Sequence, residues 1–288
     1  MPYGFIQAIE QKGYSEETIK SYEKVIQQFF SFIGSTYPQN KEPFQISPSD
    51  IKQYLKEQQE KQKSISTINK ELAIIKTLFN YLWEIDKVPV DPTVKIRRIK
   101  LQERINLEIT YQEILELQIK VLNNPSYSPL RKVIFLLATK GLKTADFRFT
   151  KQHVSISSTR NQVEIDLSNR MITLDGVEAT IFKEYYYESL TNNNHYVFIT
   201  KHRAKEDPGP IQVMSILTHL RAISKDLLPE HVPALTLISI RKALIYDLYK
   251  KRISIQSIAN QLGIEEISAS NYLKTITEGV FRQKTNTV

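Results

Sequence analysis

Apolar side chains recur at every third or fourth position through most of the chain up to Trp83, and no other feature constrains the fold as strongly. They form one helical face over Ser15–Ile33, a shorter one after Ser47-Pro48, and a long one from Ser64 to Trp83. A serine precedes each segment, and serine caps helices because its side chain accepts a hydrogen bond from a free backbone N–H. The sequence therefore predicts a small, all-helical first domain.

A basic, proline-bounded stretch follows this helical region. Pro89 and Pro92 end the three-and-four spacing, and Val94–Arg104 has no sustained period. A basic, proline-bounded composition without a helical period is typical of a connection between domains. We therefore predict a helical domain over residues 1–92, a basic linker over residues 93–106 and a second domain over residues 107–288.

The second domain mixes helices with a little β-structure. Thr110 to Glu113 has the spacing of a capping box, and helical patterns extend from there to Leu122 and again over Leu130–Thr139. Over Gln162–Leu174 the apolar period changes to two on either side of a polar turn, which indicates a β-hairpin. A short strand is expected at Tyr196–Thr200, with helices to the end. The predicted fold class is mainly α with a small β-hairpin or sheet, in two domains.

Composition narrows the function classes. The net charge is +8, with 39 Lys and Arg against 31 Asp and Glu, which favours a polyanionic partner. The chain has no Cys, so it has no disulfides, thiolate nucleophiles or Cys-ligated metals. No apolar run is long enough for a membrane span, and the first residues do not resemble an export signal. We expect a cytoplasmic, nucleoid-associated protein without a membrane partner.

The familiar small-molecule motifs are also missing. The sequence has neither a G-x-G-x-x-G fingerprint nor a P-loop, and its five His are never spaced i, i+4 on a predicted helix. We therefore predict no cofactor and no metal site.

Three segments give this order of parts a more specific meaning. They are Gly13–Tyr22 (GYSEETIKSY), Ser66–Leu72 (STINKEL) and Leu107–Ile114 (LEITYQEI). They resemble elements of the tyrosine recombinase family of phage integrases and Xer-type resolvases. In the same order, the segments are similar to the opening of the core-binding domain, to the start of its third helix and to the opening of the catalytic domain. The resemblance extends over nearly the full chain. It implies two domains that form a clamp around duplex DNA.

The family's chemistry uses a Tyr nucleophile on a scissile phosphate, with two Arg, a His or Trp, and a hairpin Lys that stabilise charge or move protons. In this sequence Lys143 lies where the first Arg is expected, and lysine lacks the bidentate fork of arginine. Ile238 replaces the His of the H-x-x-R motif, while Arg241 retains its Arg. Arg170 is in the hairpin turn, where the Lys has no evident counterpart.

The last two family positions are altered as well. Ile264 follows Leu262-Gly263 where the family has His or Trp. The family spacing from Ile264 leads to Leu273, with Tyr272 one residue earlier, and one residue is about 100° of helical rotation. Since each missing donor costs on the order of 2.7–4 kcal/mol of transition-state stabilisation, the resemblance implies a recombinase fold without recombinase chemistry and no catalytic residues.

The resulting hypothesis is a sequence-specific, double-stranded-DNA-binding regulator, a repressor that maintains lysogeny. In character it is similar to the catalytically inactive master repressors of SPβ-type Bacillus prophages. Expected partners are operator DNA, a second copy of the chain in a homo-oligomer on DNA, and a regulatory phage protein or peptide. The expected DNA contacts are Lys63, Ser66, Thr67, Asn69, Lys70, Lys76, Lys95, Arg97, Arg98, Lys100, Lys143, Arg170, Arg241, Lys242 and Tyr272.

Two alternatives stay open. The first is an active recombinase that uses Tyr272 in a rearranged pocket. The second interprets Ser254–Leu273 as a helix-turn-helix in a regulator whose N-terminal domain is unrelated to recombinases and serves oligomerisation. The order of the upstream Gly-Leu-Lys and Ile-x-x-Arg segments favours the recombinase arrangement over the second.

Overall fold

A computed structural model describes residues 2–37, 41–100, 109–157, 159–200 and 208–285 of the 288 residues. The chain divides into two compact units, Met1–Glu103 and Arg104–Val288. The division between them lies outside the described residues, as does the 101–106 part of the predicted linker.

The regular secondary structure of the first unit, within its described residues, is helical, as predicted. Its α-helices are α1 (Phe5–Gln11), α2 (Glu16–Thr36), α3 (Pro48–Glu60) and α4 (Ile65–Glu84). Ser15, Ser47 and Ser64 cap α2, α3 and α4, each accepting a hydrogen bond from a backbone N–H three residues later. The three helices predicted from apolar spacing are confirmed, and their buried faces form one core.

Helix α1 was missed because its start carries no sequence signal. Gly4 precedes it in the left-handed region, and no side chain caps it. Its buried Phe5, Ile6 and Ile9 pack into the core of the first unit. Seven residues offer too few apolar positions to establish a helical period.

The described start of the predicted linker is packed against the first unit. Ile96 is buried in the core of that unit, whereas Lys95, Arg97 and Arg98 are exposed. Ile99 exchanges two backbone hydrogen bonds with the Asn69 side chain. Residues 95–100, which carry these cations, therefore form a basic edge of the first unit.

The second unit consists of helices and a small sheet around a core that contains Val133–Ala138. Its helices are α5 (Tyr111–Asn123), α6 (Pro129–Thr139), α7 (Gly176–Leu190), α8 (Val213–Leu227), α9 (Leu237–Lys250), α10 (Ile255–Leu262) and α11 (Glu266–Thr285). Its strands are β1 (Val154–Ser157), β2 (Gln162–Asp166) and β3 (Met171–Asp175). They form an antiparallel sheet in the order β1-β2-β3, in which Ile165 is opposite Ile172.

The hairpin and the capping box are confirmed, and the β-structure is otherwise corrected. Thr110 caps α5 in a reciprocal box with Glu113. Strand β1 was missed because it is short and only partly buried. The strand predicted at Tyr196–Thr200 is wrong: within the described residues this segment makes only isolated bridges through Tyr196 and Ile199. Its apolar residues pack as an extended loop, because Val197 and Phe198 are buried in the core.

A second, smaller core joins the last three helices. Leu244 and Ile245 of α9, Ile258 of α10, and Leu273 and Ile276 of α11 are buried together. Helix α10 ends at Gly263, whose φ of +60° places it in the left-handed region that glycine adopts without strain. This turn sets where α10 presents its last carbonyl groups.

No helix among the described residues is long and apolar enough to cross a membrane.

Candidate functional site

Four segments of the second unit converge on one site. They are the turn after α6 (Lys140–Asp146), the hairpin turn between β2 and β3 (Ser168–Arg170), Arg241 on α9, and the end of α10 (Gln261–Gly263). We call this set the arginine site. Its side chains come from segments that are far apart in sequence, so only folding brings them together.

Arg241 points into the unit rather than into solvent and is 4% exposed. Its Nη1 donates to the carbonyl of Gly141 at 3.0 Å, and its Nη2 donates to the carbonyl of Leu262 at 3.0 Å. Gly141 has a φ of +77°, and a Cβ there would lie 2.9 Å from Leu262 and 3.0 Å from Leu244. Glycine at this position therefore allows the close approach on which the Arg241 contacts depend.

Arg170 is the second buried guanidinium. Its side chain is 4% exposed although it lies in a hairpin turn. Its Nη1 donates to the carbonyl of Gln261 at 2.7 Å and to that of Lys140 at 3.3 Å. Its Nη2 lies 3.7 Å from Oδ2 of Asp146. The turn is thus held against the end of α10.

Asp146 is the carboxylate that faces these cations. Its Oδ2 accepts a hydrogen bond from the backbone N–H of Lys143 at 3.0 Å, and its Oδ1 lies 3.9 Å from the Lys143 ammonium. Lys143 itself is 51% exposed. Arg241 also interacts electrostatically with Asp146. Among the described residues of the site, Asp146 is thus one carboxylate facing three cations, Lys143, Arg170 and Arg241, so positive charge is in excess.

Burial acts on both guanidinium groups. It lowers the pKa of Arg170 to about 10, with the attraction of Asp146 opposing the shift and the repulsion of Arg241 adding to it. Burial also lowers the pKa of Arg241, against the influence of Tyr272 and Asp146. Arg170 therefore remains charged at neutral pH.

The positions that resemble catalytic ones are mostly without suitable chemistry. Ile238 is 63% exposed at the start of α9, and Ile264 packs partly buried against the smaller core. Neither can donate or accept a proton. Leu273, to which the family spacing leads, is buried in that core, whereas Tyr272 is partly buried and interacts electrostatically with Arg241.

Several residues predicted to bind DNA have structural partners in the first unit. Lys63 lies 2.6 Å from the carboxylate of the buried Glu71, which also accepts a hydrogen bond from Tyr54. The Asn69 side chain donates to the carbonyl of Ile99 at 2.8 Å and accepts from its N–H at 2.9 Å. Base contacts by Asn69 would require both bonds to break.

The other predicted contacts differ in exposure. Of the predicted contacts in the first unit, the exposed ones are Ser66, Thr67, Lys70, Lys95, Arg97, Arg98 and Lys100. Lys76 on α4 and Lys242 on α9 are half-buried. The exposed cations of residues 95–100 thus form a continuous basic edge, and DNA contact there stays a prediction.

Sequence reasoning missed Asp146 and Asn169. Asp146 lies three residues after Lys143, a spacing that gives a carboxylate near the predicted cation. Asn169 donates to the carbonyl of Gly263 at 2.7 Å, and no local pattern indicates that pairing. Among the described residues, no group of three or more His, Cys, Asp or Glu is arranged to hold a metal.

Comparisons with known proteins agree with this architecture. Residues 3–87 match the family model of the phage integrase N-terminal SAM-like domain. The tyrosine recombinase XerD of Listeria monocytogenes serovar 1/2a is 20% identical over 286 residues, covering 94% of this chain and 91% of the relative. The chain is thus similar to a Xer-type tyrosine recombinase over most of its length, and its first unit is similar to the N-terminal domain of phage integrases.

Two solved structures share the fold over most of the chain. A Tn1549 transposon integrase in complex with a circular intermediate DNA has a TM-score of 0.68 at 13% identity, covering 93% of this chain and 92% of that chain. A lambda integrase dimer bound to a COC' core site has a TM-score of 0.66 at 16% identity, with the same two coverages. The chain therefore has the two-domain tyrosine recombinase fold, mostly helical with a small antiparallel sheet.

Proposed function

We propose that the protein is a sequence-specific, double-stranded-DNA-binding regulator, a prophage repressor that maintains lysogeny on a recombinase fold without cleavage chemistry. The observation that carries this proposal is the arginine site taken together with the two altered family positions, Ile238 and Ile264. The site keeps buried cations, but Ile238 and Ile264 leave no proton donor at two of the positions that resemble catalytic ones.

Charge and relatives support the DNA-binding part. The chain carries a net charge of +8, and the basic edge of residues 95–100 is exposed. Cations that neutralise phosphates release counterions, which favours binding to duplex DNA. The Tn1549 and lambda integrase structures are complexes with DNA. Operator DNA is thus the proposed partner, with a homo-oligomer on DNA and a regulatory phage protein or peptide as further partners.

The match over residues 3–87 also bears on the N-terminal domain. A helix-turn-helix regulator with an unrelated oligomerisation domain would not be expected to carry the phage integrase SAM-like domain there. The proposal therefore gives both domains a part in DNA binding.

The repressor proposal is tested by the DNA that the protein occupies in its host. Genomic pull-down of the full chain should return a short recurring sequence near promoters. A single site at an attachment junction would contradict the proposal.

A truncated chain tests whether both domains bind DNA. Removing residues 1–92 should abolish tight DNA binding, and a truncated chain that binds DNA as tightly as the full one would exclude a clamp.

An active recombinase is the second candidate, and one observation favours it. Tyr272 is one of the groups that raise the pKa of Arg241 against the effect of burial, although the family spacing leads to Leu273. A nicked suicide DNA substrate separates the two candidates. The repressor proposal expects no covalent protein–DNA adduct. An adduct that forms with the natural chain and disappears in Tyr272→Phe would establish recombinase-type chemistry.

A further inference from the structure

Strand β1 ends the small sheet with one side unpaired. In the order β1-β2-β3, β1 pairs with β2, and no second strand pairs with it among the described residues. An edge strand exposes backbone N–H and C=O groups that can pair with another chain, and proteins often block such an edge with Lys, Pro or a β-bulge. The four residues of β1 (VSIS) contain neither Lys nor Pro, and their register with β2 has no bulge. The edge is therefore open to a further strand.

The apolar layer beneath the sheet also stops short at β1. Val154 and Ile156 pack against the core, but they are only partly buried. The residues opposite them on β2, Ile165 and Val163, are 0% exposed. An apolar side chain placed beside Val154 or Ile156 would leave water for a surface that is already apolar, which is favourable. A fourth strand would supply the missing outer row of this layer.

A cleft follows this edge over the outer face of the β1 and β2 hairpin. Its volume is about 400 Å³, and its lining includes Ser155, Ser157, Arg160, Gln162 and Glu164. Successive side chains of a strand point to opposite faces of its sheet. An added strand would therefore place every second side chain against the apolar layer and the others against this polar lining.

The outer face of the sheet is acidic, although the chain is basic overall. Glu164, Asp166 and Asp175 are exposed on it, and none of them forms an ion pair within the described part of the chain. This face attracts the cations of a partner and repels the phosphates of DNA. The charge therefore favours a basic protein segment over nucleic acid at this edge.

We propose that β1 and the acidic face of the sheet bind a basic, extended segment of another protein, which adds to the sheet as a fourth strand. In this segment apolar side chains alternate with Lys or Arg. The apolar ones lie beside Val154 and Ile156, and the cations lie toward Glu164. The inference goes beyond the proposed function, because it assigns a protein partner to a face that repels DNA. It does not require the chain to bind DNA.

The direct test is NMR of the full-length, ¹⁵N-labelled chain without DNA. The probe is a soluble peptide of alternating Lys and Val, blocked at both ends. We expect the amide signals of Val154–Ser157 to shift and their hydrogen exchange to slow, since strand addition forms new backbone hydrogen bonds. A strand of four residues offers few such bonds, so NMR is chosen because it detects weak binding. Unchanged signals and exchange in β1 at millimolar peptide would overturn the proposal.

Two further peptides separate strand addition from attraction by charge. A peptide of the same sequence with N-methylated backbone amides keeps its charge but cannot donate to the sheet, so its affinity should fall about tenfold or more. A peptide of alternating Glu and Val keeps the strand propensity, and the acidic face should repel it. Equal affinity for the N-methylated peptide would exclude strand addition. Equal affinity for the Glu and Val peptide would remove the acidic face from the site.

A variant tests the acidic face in the chain itself. Glu164 is exposed and opposite Ser155, so Glu164→Gln removes a charge without opening the core. Affinity for the Lys and Val peptide should fall about threefold, the effect of one exposed charge pair. Glu184→Gln is the matched control, because Glu184 is exposed on α7, whose Phe182 lies in the core beneath the sheet. Equal effects of the two changes would contradict a specific role for the acidic face.

A second copy of the chain is the other source of a strand for this edge. It would slow hydrogen exchange in β1 as the protein concentration rises, without any peptide, and that result would overturn the choice of a foreign segment. The two proposals fail separately, because peptide binding is measured without DNA. A chain that binds operator DNA but neither shifts nor protects β1 with peptide keeps the proposed function and loses this docking site.

Discussion

Asn169 occupies the space beside Gly263 that any other residue at that position would need. A Cβ on Gly263 would lie 2.6 Å from Nδ2 of Asn169, whose amide donates to the Gly263 carbonyl at 2.7 Å. Since Gly263 also has a φ of +60°, the position requires glycine for two independent reasons. The contact joins the hairpin turn to the end of α10.

Gly263→Ala should therefore destabilise the protein through strain and through a clash. The left-handed backbone alone costs about 1–2 kcal/mol for an alanine, and displacement of Asn169 adds to it. Chemical denaturation measures the loss. Gly176→Ala is the matched control, because Gly176 has a φ of +53° and no described atom within 4 Å of a Cβ. Equal losses at both glycines would show that the Asn169 contact has no energetic role.

Stability of the first unit should fall at acidic pH because of Asp50. Burial raises the pKa of the Asp50 carboxyl, but hydrogen bonds from Tyr37, Ser47 and Lys41 outweigh it and lower the pKa to about 2. A lowered pKa gives stability that is complete above the unfolded value near 3.9 and is lost as pH falls toward 2. The loss is on the order of 2 kcal/mol.

The measurement is urea denaturation of the full chain at a series of pH values from 6 to 2. A spectroscopic probe placed within residues 1–100 reports the unfolding of the first unit. Asp50→Asn is the matched variant, because the amide oxygen can still accept the Ser47 N–H that Asp50 accepts at 2.8 Å. It should be less stable at neutral pH and show a flatter acid dependence. An unchanged pH profile would exclude Asp50 as the titrating group.

Lys63→Met should destabilise the first unit rather than act mainly on DNA. Lys63 compensates the carboxylate of Glu71, whose side chain is 4% exposed. Removing one partner of such a pair leaves a buried charge and costs about 3 kcal/mol. Lys70→Met is the control, since Lys70 is exposed on α4, the helix that carries Glu71. Thermal denaturation should separate the two variants, and equal melting temperatures would mean that Glu71 does not need Lys63.

Asn69→Ala should release the basic edge of residues 95–100. The variant loses both hydrogen bonds to Ile99, so stability should fall by about 1–2 kcal/mol, and affinity for all duplex sequences should fall alike. Binding to a panel of duplexes by fluorescence anisotropy measures this. A changed preference among sequences, with unchanged stability, would instead show that Asn69 reads bases.

Local signals predicted most of the helices. Ser15, Ser47, Ser64 and Thr110 each precede a helix, because capping and apolar spacing act over three or four residues. The same reasoning failed over Tyr196–Thr200, where buried apolar residues lie in a loop. Burial alone does not distinguish a strand from an irregular core segment.

The sequence by itself determined the helical first domain, the capped helix at the start of the second domain and the β-hairpin. It also determined the excess of positive charge and the altered family positions Lys143, Ile238 and Ile264. Tertiary structure decided that Arg170 and Arg241 are buried and share Asp146, and that Asn69 binds Ile99. The physical reason is distance along the chain. Hydrogen bonds from Arg170 to Gln261 and from Arg241 to Gly141 join residues 91 and 100 positions apart, a pairing that no local pattern specifies.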